Sequence, residues 1–152
     1  MRYVHTNLVA RDWRRLADFY VEAFGCVPVP PERDLSGDWL DRATGIEGAH
    51  IRGVHLRLPG YGDGGPTLEV FQYEPATEAD RSTPNRPGFG HIAFEVEDVE
   101  ATKKAVHGLG GGSVGEVVRA GIQGVGGLEF AYLTDPESNM IEVQRRVSPS
   151  SS

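Results

Sequence analysis

The sequence predicts an α+β fold made of two βαβββ modules, and two observations carry this prediction. An alternating apolar run followed by an amphipathic helical pattern occurs near the N-terminus and again after position 88. Further short runs with strand-like alternation follow each helical pattern. Repetition of one supersecondary unit indicates duplication, and 152 residues are enough for two halves of about 70 residues that share one core.

The first module begins with a strand and a capped helix. Val4–Ala10 is predicted to be a strand, Asp12 has the position of an N-cap, and Gly25 ends the helical pattern. Between the cap and this glycine, apolar side chains recur with helical spacing and so share one face of the helix. These side chains are Leu16, Phe19, Tyr20, Ala23 and Phe24.

The first module continues with a long segment and two further strands. Within Leu35–Gly48, the run Ser36–Ala43 predicts a short extra helix, and this insertion makes the first half longer than the second. His50–Leu58 and Pro66–Tyr73 both have the alternation of strands. We therefore assign residues 1–74 to the first βαβββ module.

The second module repeats the order of a strand and a capped helix. Gly90–Val96 is predicted to be a strand, Asp98 has the position of the N-cap, and the helical stripe ends at Gly110–Gly112. Three strand-like runs follow this helix, which completes a second βαβββ unit. The helical stripe is Thr102, Ala105, Val106 and Leu109, and the later strands are Ser113–Arg119, Leu128–Thr134 and Asn139–Arg146.

The boundaries of the modules follow from changes in composition. Residues 75–87 are polar and rich in proline, which predicts a linker between the modules. The second module then covers residues 88–147. The serine-rich end of the chain, residues 148–152, predicts a disordered tail.

The charge balance limits the classes of partner. The chain has 15 Lys and Arg against 22 Asp and Glu, with a net charge of -7 at pH 7 and a pI near 5.2. Because nucleic acid binding requires concentrated basic side chains, we expect no nucleic acid partner. No signal-peptide pattern and no apolar run of about 20 residues is evident. We therefore expect a cytoplasmic protein with no membrane partner.

Four potential metal ligands recur in matching places of the two modules. His5 lies near the start of the first strand and Glu69 lies within a later one. His91 and Glu142 repeat this arrangement in the second module. Two imidazoles and two carboxylates are a complete set of protein ligands for a divalent metal that keeps positions open for a substrate. The sequence therefore predicts one metal site formed by these four residues.

Strand alternation supports the same four residues. Successive side chains of a strand point to opposite faces, so Glu69 faces away from Leu68 and Val70. Glu142 faces away from its aliphatic neighbours in the same manner, and both histidines lie opposite the apolar side chains of their strands. All four ligands are thus predicted on the face away from the aliphatic core, where a curved sheet would form a cleft.

Short motifs along nearly the whole chain resemble those of the vicinal oxygen chelate (VOC) superfamily, which includes glyoxalase I, methylmalonyl-CoA epimerase, extradiol dioxygenases and antibiotic-resistance proteins. The resemblance implies a glyoxalase-like fold in which two βαβββ modules form a cupped mixed sheet, with a homodimer as the expected assembly. By position, the four predicted ligands fall on the glyoxalase-like metal quartet. The motifs are His5–Leu8, Asp18–Tyr20, Phe24–Gly25, Leu68–Val70, Gly90–Phe94 and Asp135–Glu142.

The resemblance also implies a class of reaction. A divalent metal ion, which could be Ni, Zn, Co, Mn or Fe, would bind a small-molecule substrate through adjacent oxygens and stabilise the charge that forms when a neighbouring C–H loses its proton. A carboxylate beside the metal can move that proton. We expect Glu142 to act as ligand and base with Glu69 as its partner, and the choice between the two carboxylates stays open. The expected enzyme is a lyase or isomerase similar to lactoylglutathione lyase.

Two alternatives remain within the same superfamily. A non-haem iron dioxygenase would use two histidines and one carboxylate, and Glu69 as a fourth ligand argues against it. A metal-free antibiotic-binding or small-molecule-binding resistance protein would instead use the cleft as an aromatic pocket. The aromatic residues available for such a pocket are Tyr3, Trp39, Phe71, Tyr73, Phe89 and Phe130.

Two further histidines lie in one strand-like run of the first module. His50 and His55 flank Arg52, and together with Arg57 they have the chemistry to bind a carboxylate or phosphate of a substrate. A single histidine on a strand is more often a solvated surface group than a ligand. We therefore expect His50 and His55 to be surface side chains.

Overall fold

Each half of the chain forms its own mixed β-sheet with a helix packed on one face. The computed structural model describes residues 1–78, 82–124 and 126–148. These residues belong to two units, Met1–Ala79 and Asp80–Ser152. The predicted α+β class and the duplicated strand–helix–strand order are confirmed by the sheets and helices of the two units.

Parts of the chain lie outside this description. The predicted linker, 75–87, and the predicted tail, 148–152, both extend into such parts, so these boundaries stay predictions. Among the described residues, no helix is long and apolar enough to span a bilayer.

The first unit has four strands and two helices: β1 (His5–Val9), α1 (Trp13–Phe24), β2 (Val27–Ser36), α2 (Asp38–Thr44), β3 (His50–Arg57) and β4 (Thr67–Glu74). The strand order in the sheet is β1–β4–β3–β2. β1 runs parallel to β4, whereas the other neighbouring strands are antiparallel. Helix α1 packs against β3 and β4, which fixes one face of the sheet as the core.

The second unit has the elements β5 (Ile92–Glu95), α3 (Val99–Gly108), β6 (Gly112–Ser113), β7 (Val118–Ile122), β8 (Gly126–Thr134) and β9 (Met140–Val147). The strand order is β5–β9–β8–β6, and β7 also pairs with β8. Because β9 occupies one edge of β8, β6 and β7 lie in succession along its other edge. They are two segments of one interrupted strand, which preserves the βαβββ pattern.

Helix α1 forms as its sequence predicts. The Asp12 side chain caps the helix by accepting a hydrogen bond from the Arg15 backbone N–H, and Gly25 ends it with a φ of 68°. Six apolar side chains of the helix are buried against the sheet, which makes this contact the main core of the first unit. They are Trp13, Leu16, Ala17, Phe19, Tyr20 and Phe24.

Helix α3 is turned slightly from its predicted orientation. Asp98 caps it through the Ala101 backbone N–H, as expected, and Val99 and Val106 are its buried residues. Ala105 was predicted in the buried stripe but is exposed. The two valines, seven positions apart, lie on one side of the helix, and an exposed alanine methyl group costs little.

Strand β2 is absent from the sequence prediction. It contains Pro28, Pro30 and Pro31, and proline is unfavourable in a central strand because it lacks a backbone donor. The structure places β2 at the edge of its sheet, with a register shift between Val29 and Arg33. An edge position tolerates these prolines, and this tertiary placement cannot be deduced from the local pattern.

Candidate functional site

The burial of β4 and β9 follows the predicted alternation. Leu68 and Val70 of β4 are almost completely buried on the helix side, whereas the intervening Glu69 side chain is 12% exposed on the other side. In β9 the Glu142 side chain is 13% exposed between two fully buried aliphatic residues. Each glutamate therefore lies on the sheet face that its helix does not cover.

The register of three adjacent strands collects polar side chains around Glu69. Glu69 on β4 is opposite Asn7 on β1 and opposite His55 on β3. His5 lies two residues before Asn7 and therefore on the same face of β1. Thr67 lies two residues before Glu69 on β4 and also faces this side.

Both oxygens of the Glu69 carboxylate have partners. Its Oε2 lies 3.2 Å from His5 Nε2 and accepts a hydrogen bond from Asn7 Nδ2 at 3.3 Å. Its Oε1 lies 2.9 Å from His55 Nε2. The two imidazoles therefore contact different oxygens of one carboxylate.

His55 was expected to be a surface side chain, and this expectation is wrong, because the structure places its ring beside Glu69. Its side chain is only 18% exposed, and its Nδ1 lies 3.0 Å from Thr67 Oγ1. Burial lowers the pKa of His55, the Glu69 carboxylate opposes this effect, and the nearby Arg33 and His5 add to the lowering. In the neutral ring Nε2–H donates to Glu69, which can only accept, and Nδ1 accepts from the Thr67 hydroxyl.

The sequence shows that His50 and His55 lie on opposite faces of their strand, but it does not show which of them is next to Glu69. His50 and His55 are an odd number of positions apart on one strand, so alternation places them on opposite faces. His50 accordingly meets Asp34, with 2.5 Å between His50 Nε2 and the carboxylate. Only the pairing of β3 with β4 shows that His55 is next to Glu69, and pairing register depends on contacts far apart in sequence.

Helix α2 closes one end of the same face in the first unit. Phe71, two residues after Glu69, is buried there in an apolar cluster with Leu40, Ala49 and Ile51. Its ring also makes an edge contact with His55, with 5.8 Å between centroids. Phe71 was considered as part of an aromatic pocket, and the structure places it in this cluster.

Gly53 makes room for the Phe71 ring. The two residues are opposite each other on β3 and β4. A Cβ atom at position 53 would lie 2.1 Å from the Val70 carbonyl oxygen and 2.5 Å from Phe71 Cδ1. Glycine at this position therefore permits the close packing that holds the ring beside His55.

The second unit contains a simpler arrangement around Glu142. His91 Nε2 lies 2.9 Å from Glu142 Oε2. Tyr132 is opposite Glu142 on β8, and its ring lies 5.1 Å from the His91 ring, centroid to centroid. Burial, together with the Glu142 carboxylate, raises the pKa of the Tyr132 phenol.

A buried aspartate fixes the turn that leads into β9. The Asp135 carboxylate accepts hydrogen bonds from the backbone N–H groups of Glu137 and Asn139 and from Asn139 Nδ2, at 2.8 to 2.9 Å. Ser138 in this turn has a φ of 69°, which the hydrogen bonds hold in place. The motif Asp135–Glu142 thus has a structural basis, because it sets the start of the strand that carries Glu142.

The donor pairs in the two units have separations close to those of metal ligands. Metal–ligand bonds of about 2.1 Å that meet at about 90° to 110° place two donor atoms about 3.0 to 3.4 Å apart. The observed separations are 3.2 Å for His5 and Glu69 and 2.9 Å for His91 and Glu142. The His5–Glu69 separation lies within this range, whereas the His91–Glu142 separation is slightly shorter and equals an ordinary N–H···O hydrogen-bond distance. The chemistry of both pairs fits a divalent ion.

The structure brings the predicted ligands together as two pairs, one in each unit. Within the part of the chain that is described, no group of three or more His, Cys, Asp or Glu has the arrangement of a metal site. The prediction that all four residues share one ion involves both units. The four-residue site therefore stays a prediction.

Comparisons with known proteins relate most of the chain to one superfamily. The model of the Glyoxalase/Bleomycin resistance protein/Dioxygenase superfamily matches residues 2–143. The probable lactoylglutathione lyase of Vibrio parahaemolyticus is 29% identical over 144 residues, which are 93% of this chain and 88% of that protein.

Solved structures share the fold. A glyoxalase family protein from Bacillus cereus has a TM-score of 0.81 at 22% identity, covering 97% of this chain and 95% of that chain. A glyoxalase I mutant from Zea mays has a TM-score of 0.65 at 23% identity, covering 97% of this chain and 45% of that one. At these identities the likeness concerns the fold, and it confirms the predicted glyoxalase-like architecture.

Proposed function

The chain belongs to the Glyoxalase/Bleomycin resistance protein/Dioxygenase superfamily, and from this membership we propose that it is a divalent-metal-dependent lyase or isomerase. The reaction would remove a proton from a carbon next to a carbonyl group of a small substrate. Members of this superfamily typically use a divalent metal ion.

One observation carries the proposal. In each unit, a histidine Nε2 and a glutamate carboxylate oxygen lie close to one ligand-to-ligand distance apart, on the sheet face opposite α1 in the first unit and opposite α3 in the second. The two pairs also occupy the same register positions of their sheets, since each histidine lies two residues before the residue opposite the glutamate. Solvated polar side chains have no reason to recur at the same register positions of both units.

We propose that His5, Glu69, His91 and Glu142 together hold one Ni, Zn, Co, Mn or Fe ion, within one chain or across a homodimer. When bound, such an ion supplies Lewis acidity toward substrate oxygens and so lowers the cost of removing the neighbouring proton. The protein residues orient the substrate and move the proton.

Glu142 is the proposed base. One of its carboxylate oxygens would accept the proton from the substrate carbon. The same group would return the proton to the adjacent carbon in an isomerisation. In an epimerisation, Glu69 in its protonated form would deliver a proton from the opposite side and regain one from solvent, while Glu142 would release the abstracted proton to solvent.

The first substrate to test is suggested by a relative. The similar protein of Vibrio parahaemolyticus is named a probable lactoylglutathione lyase, which supports a hemithioacetal substrate. More generally, we propose that the substrate is a small molecule that offers two adjacent oxygens. A 2-methylacyl-CoA and a catechol represent the epimerase and dioxygenase members of the superfamily.

The experiment combines metal analysis with activity. The metal content of freshly purified protein is measured, the metal is removed by chelation, and each ion is titrated back while the three substrates are assayed. We expect one ion to bind per four-residue site, and we expect turnover to return when the metal is restored. Ring cleavage of the catechol would instead identify a dioxygenase, and failure to bind any of the ions would favour the metal-free binding protein.

A further inference from the structure

The Glu69 carboxylate is held on both sides by other side chains. On Oε2 it meets His5 and Asn7, and on Oε1 it meets His55 at 2.9 Å. If His5 shares a metal ion with Oε2, the contact with His55 is on the oxygen directed away from that ion. Such a contact can fix the orientation of a ligand without binding the metal.

The described residues of the second unit include no counterpart of this contact. At the register position of His55 it has Tyr132, and at the position of Asn7 it has Ala93. Among the residues that the structure describes, the polar contact made by the Glu142 carboxylate is the one with His91. The repeat thus preserves the donor pair, whereas among the described residues the further groups that restrain the carboxylate are those around Glu69.

We propose that His55 is a positioning residue, which holds Glu69 by a hydrogen bond to Oε1 so that Oε2 is presented to the metal. This inference rests on the proposed function, because it takes Glu69 to be a metal ligand. It also assigns different roles to the two carboxylates. Glu69 is the restrained ligand, and Glu142, with fewer contacts, is the one able to move with the proton.

The surroundings of His55 suit this role. Thr67 Oγ1 lies 3.0 Å from Nδ1, on the opposite side of the ring from Glu69. The rings of His5 and Phe71 both meet the His55 ring edge-on, at 5.8 Å between centroids. Two polar contacts and two ring contacts leave the imidazole little freedom to rotate, so its Nε2 stays directed at Glu69.

The test uses zinc binding by the full chain and three variants. His55→Phe keeps a ring but removes the donor, His55→Gln keeps an N–H donor, and Thr67→Val removes the hydroxyl with little change of shape. Loss of a side chain that orients a ligand typically weakens metal binding about 10- to 100-fold. We expect that loss for His55→Phe, a smaller one for Thr67→Val, and substantial recovery in His55→Gln.

The matched control is His50→Gln on the same strand. Its side chain lies on the other face and meets Asp34, so zinc affinity should be unchanged. Zinc dissociation constants are measured by competition with a chelator, after thermal unfolding has shown which variants are folded. If His55→Phe does not fold, the comparison of Thr67→Val with the parent protein decides.

The outcomes separate this inference from the proposed function. If the parent chain binds zinc and His55→Phe or Thr67→Val binds it equally well, the positioning role is wrong while the proposed function stands. If the parent chain binds none of the ions, the proposed function fails and the inference falls with it. A second readout needs no metal: the ¹⁵N shifts of the His55 ring should show Nε2–H in the parent and a change in Thr67→Val.

Discussion

The two units place the same donor pair at the same register but surround it differently. Among the described residues, Glu69 meets three side chains, one amide and two imidazoles, whereas Glu142 meets one imidazole and lies beside a tyrosine ring. The difference teaches that duplication of a strand pattern preserves where side chains point. It does not preserve what restrains them, and restraint distinguishes a fixed ligand from a group that can move.

The largest expected effect distinguishes the roles of the two carboxylates. Glu142→Gln should lower kcat about 100- to 10,000-fold, because an amide cannot accept the proton of the substrate. Glu69→Gln should act mainly by weakening metal binding. The measurement is kcat at saturating metal for both variants, beside their zinc dissociation constants. Equal losses of kcat at full metal occupancy would show that the carboxylates have the same role.

The next prediction concerns the histidines, where the units should behave alike. His5→Ala and His91→Ala each remove a proposed direct ligand, so each should weaken zinc binding by more than about 100-fold, beyond the loss typical of an orienting residue. His107→Ala is the control, since His107 lies on α3 and contacts Ser113. Zinc titration of the three variants tests this. A large loss in only one of the first two would mean that the pairs do not share an ion.

A third prediction concerns corresponding positions at which one unit has a small residue and the other has a large one. The first unit has Gly53 opposite Phe71, whereas the second has Phe130 opposite Gln144 at the same register. Gly53→Ala would force its Cβ against the backbone of β4, and overpacking of this kind costs about 1–3 kcal/mol. Urea denaturation measures the free energy of unfolding.

The control for this prediction is Gly121→Ala on β7, where an added Cβ meets nothing within 4 Å. Its free energy of unfolding should differ little from that of the parent. If Gly53→Ala is as stable as Gly121→Ala, the close packing of Phe71 is not what requires glycine at position 53.

The smallest effect concerns a charge that changes sign between the units. At the position of Arg52 in the first unit, the second has Glu129, which is buried between Arg119 and Arg145. The hydrogen bonds from Arg145 and Arg119 hold the pKa of Glu129 below its ordinary value near 4.5. A carboxylate with a lowered pKa stabilises the fold above pH 4.5, and this contribution is lost as the pH falls further.

Glu129→Gln should therefore lower the Tm at pH 7 and have a smaller effect as the pH falls below about 4.5. The matched control is Glu74→Gln, because Glu74 pairs with Arg52 in an exposed position, and exposed pairs contribute little. Thermal unfolding across pH measures both. A Tm difference for Glu129→Gln that does not change with pH would contradict the assigned cause.

The local patterns of the chain predict most of the framework. The cap and stop residues of α1, the alternation in β4 and β9, and the facing of Glu69 and Glu142 depend on neighbours in sequence. These features were predicted because strand parity and helix capping are local rules. The assignment of all four donors to a single ion goes beyond them and stays a prediction.

The features that were missed depend on contacts distant in sequence. His55 meets Glu69 only because β3 pairs with β4 in one register, and a shift of one residue would turn it to the other face. β2 forms as a strand despite its prolines because it lies at an edge. Ala105 is exposed because Val99, outside the predicted stripe, sets the buried side of α3.

The prolines of β2 have a consequence beyond the site. Three of the ten residues of this outermost strand lack a backbone N–H, so the strand of another molecule that approached it would find too few donors to form a continuous ladder. Growth of this sheet from molecule to molecule, as in a fibril, is therefore disfavoured along β2. We therefore expect this stretch, unfavourable for a strand by composition, to reduce edge-to-edge association along β2.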